Sequence, residues 1–392
     1  MKRSSISIIT GILLMACGFT TSIFSTPTNT PQPTATALPP SPTPTPKPES
    51  ITFPEVSDAK ISENPESVVL LKEISLDEIP AFKDSKDMVF DFKNKRVAME
   101  KDGMVEIWGF EDGELHLVHS LDLPAKTVGR MAFSPTGNKI VVHWNESSQE
   151  MLQLWDTNSW TSVDIGSLRE DFVSFSFSPD ENQLAVSGSP LVDKEGTIEL
   201  WDTNTGGLIK ILPPLYINDG LASDGSIVMA YSPDGTKIAS TYSEPASPGI
   251  ELWDINKDRR IFTLGKDGGG SPNITFSPDG RFLASTVSVG GNVQNQFMIL
   301  WDISAGKQVK DVQITILKRT PSDAIVFSPD GKQLAIANDG VINLLDMDTL
   351  NIRQKLESAG SEVEHLSQVE YLLDGRLLVS VGSGKIRFWG IP

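Results

Sequence analysis

Seven times between residues 88 and 390 the chain returns to the same pair of markers, and no other feature restricts its fold as strongly. The first marker is a short apolar run closed by a turn. It is clearest in Ile325-Val326-Phe327-Ser328-Pro329-Asp330-Gly331, and it recurs from Met88, Met131, Phe175, Met229, Ile274 and Val369. The second is a short β-type run ending in Trp108, Trp155, Trp201, Trp253, Trp301, Leu345 and Trp389, in five cases followed by Asp. These closing residues stand 44 to 52 positions apart. Self-similarity at such a period is the mark of a repeat architecture, in which each unit buries its apolar faces against its neighbours.

Each repeat can be read physically. In Ser-Pro-Asp-Gly, Pro presets φ at the second turn position and Gly supplies positive φ, so the turn joins two antiparallel strands. Gly235, Gly280 and Gly331 fit that scheme, whereas Glu181 occupies the glycine place in the third repeat and predicts a different turn there. A third strand follows, as in Ile198-Glu199-Leu200-Trp201, and then a fourth, as in Leu208-Ile209-Lys210-Ile211-Leu212. Four short strands per repeat, seven times over, predict an all-β, seven-bladed β-propeller of four-stranded blades. The chain ends on a third strand at Trp389, while residues 68–74 form an apolar run with no blade of its own. That run is expected to supply the outer strand of the last blade, closing the ring and removing an open edge.

With these markers in place, residues 66–392 resemble a WD-repeat β-propeller. The Gly-His pair usual in that family does not occur: none of His116, His119, His143 and His365 follows a glycine. The hydrogen-bond network that the family builds on that His is therefore not expected, and blade stability is expected to rest mainly on apolar stacking between sheets.

The N-terminus reads differently. Lys2 and Arg3 precede an apolar stretch over residues 6–16 that is too short for a permanent membrane span, which is the pattern of an export signal. Leu14-Met15-Ala16-Cys17 resembles the bacterial lipoprotein box, which implies cleavage before Cys17 and lipidation of its thiol. Residues 1–16 are thus expected to be a lipoprotein signal peptide, and residues 17–65 a lipidated cysteine followed by a Pro/Thr-rich linker. Proline removes backbone donors and fixes φ, so this linker should stay extended. Cys17 is the only cysteine, so no internal disulfide can form. The expected location is the bacterial cell envelope, outside the cytoplasm, with the membrane reached through Cys17.

The formal charge is −18, and within the first fifty residues Lys2, Arg3 and Lys47 outnumber Glu49, so the acidity lies in the repeats. Such a body repels phosphate backbones, and nucleic acid is not an expected partner. The connections between second and third strands and between blades are long at residues 143–150, 187–196, 213–225, 242–249, 265–272 and 287–296. Long loops gathered on one face of a rigid scaffold are a usual place for recognition. The candidate binding face takes Trp144, Tyr216 and Tyr242 as apolar anchors, with Lys194, Glu195, Asp219, Glu244 and Asp267 around them. His116 and His119 are three apart on a predicted strand, which turns them to opposite faces and argues against a shared metal. Neither a catalytic constellation nor a cofactor motif stands out. The reading is a non-catalytic platform for a protein or peptide; the alternative is a propeller-type hydrolase or lactonase-like enzyme with its site on the long-loop face.

Overall fold

The structure is a computed structural model. It describes residues 53–82, 85, 87–111, 114–123, 127–146, 149–168, 174–188, 197–212, 228–242, 249–264, 273–288, 296–314, 324–338, 340–357 and 366–392. The described residues form seven four-stranded antiparallel sheets, one per repeat. In blade 1 the strands run in order from the inside outward as Met88–Asp91, Arg96–Lys101, Met104–Glu111 and Glu114–Leu121. Blades 2 to 6 repeat this order.

Blade 7 departs from it. Its inner three strands are Leu366–Leu372, Leu377–Gly382 and Lys385–Gly390, and the outer place is taken by Val69–Ser75 from the other end of the chain. Val69 pairs with Gly390 and Ile74 with Ile386, with a bulge between Leu70 and Lys72. The closing strand expected from the unassigned apolar run is therefore present. Glu73 sits opposite Arg387 in this register and accepts from its Nε at 2.6 Å and from Lys385 Nζ at 2.9 Å.

Blade 7 then meets blade 1. The Gln368 side chain takes both polar groups of one backbone residue: Phe90 N donates to Oε1 at 3.2 Å, and Nε2 donates to Phe90 O at 3.0 Å. Behind this clasp, Phe90, Phe92 and Val97 of blade 1 pack with Leu377, Val379 and Phe388 of blade 7. The packed body begins upstream of Glu66. Ser57 N donates to Ile391 O, Ile61 N to Gly375 O, Ile61 is fully buried, and the Phe53 ring meets Phe388 edge-on at 5.5 Å.

Between blades, clusters of apolar side chains fill the joints. The closing residue of each third strand packs toward the preceding blade: Trp253 joins Ala185 and Leu200, Trp301 joins Ala239 and Leu252, and Leu345 joins Ala284 and Leu300. Stacking is not the whole account, because most indole N–H groups also find a partner without any histidine. Trp108 and Trp201 donate to the glutamate two residues earlier, Glu106 and Glu199, at 2.9 and 3.1 Å. Trp253, Trp301 and Trp389 donate instead to a serine hydroxyl on the neighbouring strand, those of Ser240, Ser285 and Ser380, at 3.0–3.3 Å.

The tight turns explain their own sequence. Ser178, Ser232, Ser277 and Ser328 each donate from Oγ to the Asp two residues on at 2.5–2.7 Å. Each hydroxyl also accepts the backbone N–H five residues on, at 2.9–3.0 Å. These aspartates are turn residues, and their carboxyls are held below the usual range, by the serine hydrogen bond first at Asp180 and Asp279. The third-repeat turn does not differ as its sequence predicted. Glu181 adopts the left-handed conformation at φ 59° and keeps the bond from its N–H to Ser178 O at 2.9 Å. Its carboxylate reaches the previous blade, accepting from Thr136 Oγ1 at 2.8 Å and from Thr136 N. A cross-blade contact thus offsets the strain of a side chain at positive φ.

Candidate functional site

Antiparallel order decides which connections share a face. The first-to-second and third-to-fourth turns leave one end of every blade. The second-to-third loops and the blade connections leave the other end. All the long segments singled out above belong to that second end.

Of the predicted site residues, Lys194, Glu195, Tyr216, Asp219, Glu244 and Asp267 lie outside the described residues, as does Cys17. Tyr242 is the last residue of the second strand of blade 4, paired with Gly249; its side chain is also outside them. Trp144 requires a correction. The hairpin of blade 2 continues beyond the expected loop start, to Glu146 and Gln149, so Trp144 lies within a strand. It is 2% exposed and packs with Leu121, Val128 and Val142 between blades 1 and 2, which leaves no surface to offer a partner. His119 is likewise occupied within the fold: its ring stacks on Trp160 at 4.3 Å.

Concavities lined by described residues include two that bear on a site. One lies at the looped end of the inner strands, where Asp87, Gly129, Arg130 and Ser174 come together over Met88, Val89, Met131 and Phe175, with a volume of about 420 Å³. Arg130 is aimed by a bulge, since pairing slips between Val128 and Met131. Burial pulls its guanidinium below the usual range. Gly129 lies against the His143 ring with no room for a Cβ. A guanidinium, a carboxylate and a hydroxyl above apolar side chains can orient a polar ligand, and they do not make a nucleophile–base pair.

The second concavity, of about 350 Å³, lies at the blade 7–blade 1 seam, bounded by Phe53, Phe92, Leu372, Leu377, Lys93 and Glu370 among others. Burial, reinforced by the nearby Asp91, pushes the Glu370 carboxyl up to about 7. Sequence reasoning missed both Arg130 and Glu370. Arg130 precedes the aligned motif, and the signal for Glu370 was visible only by comparing equivalent positions between blades. Among the described residues no group of three or more His, Cys, Asp and Glu side chains is placed to hold a metal ion. The chain matches no protein-family model and no curated protein.

Proposed function

We propose that this chain is a WD-repeat-like propeller carried as a lipoprotein outside the cytoplasm of a bacterium, where it is a non-catalytic platform for a protein or peptide. The observation that carries the reading is the asymmetry of the closed ring. One end is occupied by short, internally hydrogen-bonded turns that touch blade to blade, while every long connection leaves the other end. A rigid ring whose sequence varies mainly at one end is suited to presenting a composite recognition surface. The export signal, Cys17 and the Pro/Thr-rich segment supply the anchor and the reach. Two acyl chains on one cysteine are enough for stable attachment.

The test uses the full chain expressed with its signal. Wild type is expected in the membrane fraction and Cys17→Ser in the soluble fraction. Replacing residues 189–196 and 213–225 by short Gly-Ser segments is expected to leave the melting temperature within about 2 °C, since changing the length of a connection alters its closure entropy by only about 0.6 kcal/mol per doubling. The same replacement is expected to abolish co-purification of whichever envelope protein wild type retains in stoichiometric amount. A soluble wild type would end the anchor reading. Undiminished partner recovery by the shortened ring would end the platform reading.

A further inference from the structure

The second position of the inner-strand motif is Val89, Ala132, Ser176, Ala230, Thr275 and Val326 in the first six blades, and Glu370 in the seventh. Where these residues are apolar they fill the space against the next blade: Val89, Ala132, Ala230 and Val326 all join interblade clusters. Alternation along a strand puts Glu370 on the same face as Gln368 and Leu372. Gln368 clasps Phe90 and Leu372 belongs to the seam cluster, so that face is turned to blade 1. A carboxylate has therefore replaced a small filler at the joint that closes the ring, and the cavity of about 350 Å³ opens beside it.

The groups around Glu370 leave its charge poorly matched. Gln368 Nε2 stands 3.5 Å from Oε2 and is already donating to Phe90 O at 3.0 Å. Asp91, whose charge also acts on Glu370, is held by Arg96 at 2.7 Å and by Asn94, so its cation is spent locally. Lys93 is exposed and acts on Glu370 only through space. Lys95 is exposed too, with Nζ 6.0 Å from the Phe53 ring centre. The cavity thus has an acceptor and wants a cationic donor, while Phe92, Leu372 and Leu377 provide buried apolar walls, with Phe53 partly buried beside them. A volume near the lower end of the range for small-molecule sites, about 300–1,000 Å³, matches a short ligand.

We propose that the seam cavity is a binding site for a small organic amine, seated with its apolar body between Phe53, Phe92, Leu372 and Leu377 and its ammonium donating to the Glu370 carboxylate. The geometry differs from a carboxylate site, in which the charged head would stay at the exposed lysines and push an alkyl chain against Glu370. Ligand binding here also bridges blades 7 and 1, so occupancy stabilises the ring at its closure.

The test is calorimetric titration of the purified mature chain at pH 7.5 with n-hexylammonium chloride, 1-hexanol and sodium hexanoate. Hexylammonium is expected to bind saturably at one site and at least tenfold more tightly than either comparison probe. Glu370→Gln, nearly isosteric, is expected to reduce hexylammonium affinity at least tenfold and leave 1-hexanol unchanged. Phe53→Ala, which leaves the charge in place, is expected to weaken both. Hexanoate or hexanol binding as tightly as the amine, no saturable binding of the amine, or an amine affinity indifferent to Glu370→Gln would each overturn the proposal. A melting curve on each variant shows that it is folded when titrated.

Discussion

Glu73→Ala is expected to lower the stability of the protein by about 3 kcal/mol, because it removes the carboxylate that accepts from the Nε of a buried, charged Arg387. Arg387 is 1% exposed, and its Nε–Glu73 Oε2 distance is 2.6 Å. The two residues come from opposite ends of the chain and meet only because Val69–Ser75 completes blade 7. Burial pushes the Glu73 carboxyl up, but the hydrogen bonds from Lys385 and Arg387 outweigh it and hold the group below its usual range. Stability from this pair is therefore present above the ordinary Glu pKa and is lost as pH falls through the depressed one. Lys385→Ala breaks the more exposed half of the arrangement, with both side chains about one-third accessible, and is expected to cost less than about 1 kcal/mol. Combining Glu73→Leu with Arg387→Met removes both charges and is expected to recover most of the loss. Denaturant unfolding at pH 7 reads all three. A single and a double replacement that are equally unstable would show that the pair is not coupled.

The second large effect has the opposite sign. Glu370→Val installs the residue that blade 6 carries at the same place, Val326, and is expected to stabilise the protein by up to about 3 kcal/mol at pH 8. In the folded chain Glu370 holds its proton up to about 7, against an ordinary value of 4.5. Between those values the folded state binds more protons than the unfolded state, so the wild type loses stability as pH rises through that window. The gain from Glu370→Val is therefore expected to be small at pH 4.5 and full at pH 8, read from denaturant midpoints at both. An equal gain at both would mean that packing, not charge, separates the two residues. A carboxylate retained at such a cost is what a binding role at the seam would require.

Several of these features were legible before any coordinates, and the reason is periodicity. Trp155, Trp201, Trp253 and Trp301 recur because each plugs the preceding blade, and that contact must be remade at every joint. The closing strand could be inferred because residues 68–74 were apolar and had no other place in the repeat count. Residues 53–65 were harder to read. They hold to blades 6 and 7 through single contacts such as Ile61 and the Ser62–Asp330 hydrogen bond at 2.7 Å, and such contacts leave no period. Glu181 misled because glycine is the usual bearer of positive φ, whereas the turn is fixed by Ser178 and Asp180 and tolerates another side chain that finds a partner. Trp144 misled because a hairpin that extends two residues beyond its neighbours looks, in sequence, like the beginning of a loop. The candidate site was the least legible part. Recognition residues obey no repeat, and Glu370 emerged only as an exception to one.

The central structural claim is that the N-terminal strand closes the ring, and amide hydrogen exchange tests it most directly. Lys385–Gly390 is paired on one side with Leu377–Gly382 and on the other with Val69–Ser75. Exchange followed by mass spectrometry is expected to show peptides covering Val69–Ser75 and Lys385–Gly390 protected as strongly as the third strand of blade 4, Gly249–Asp254. Removing residues 53–75 is expected to abolish that protection across Lys385–Gly390. Rapid exchange of Val69–Ser75 in the intact chain, at the rate of a frayed terminus, would contradict the account.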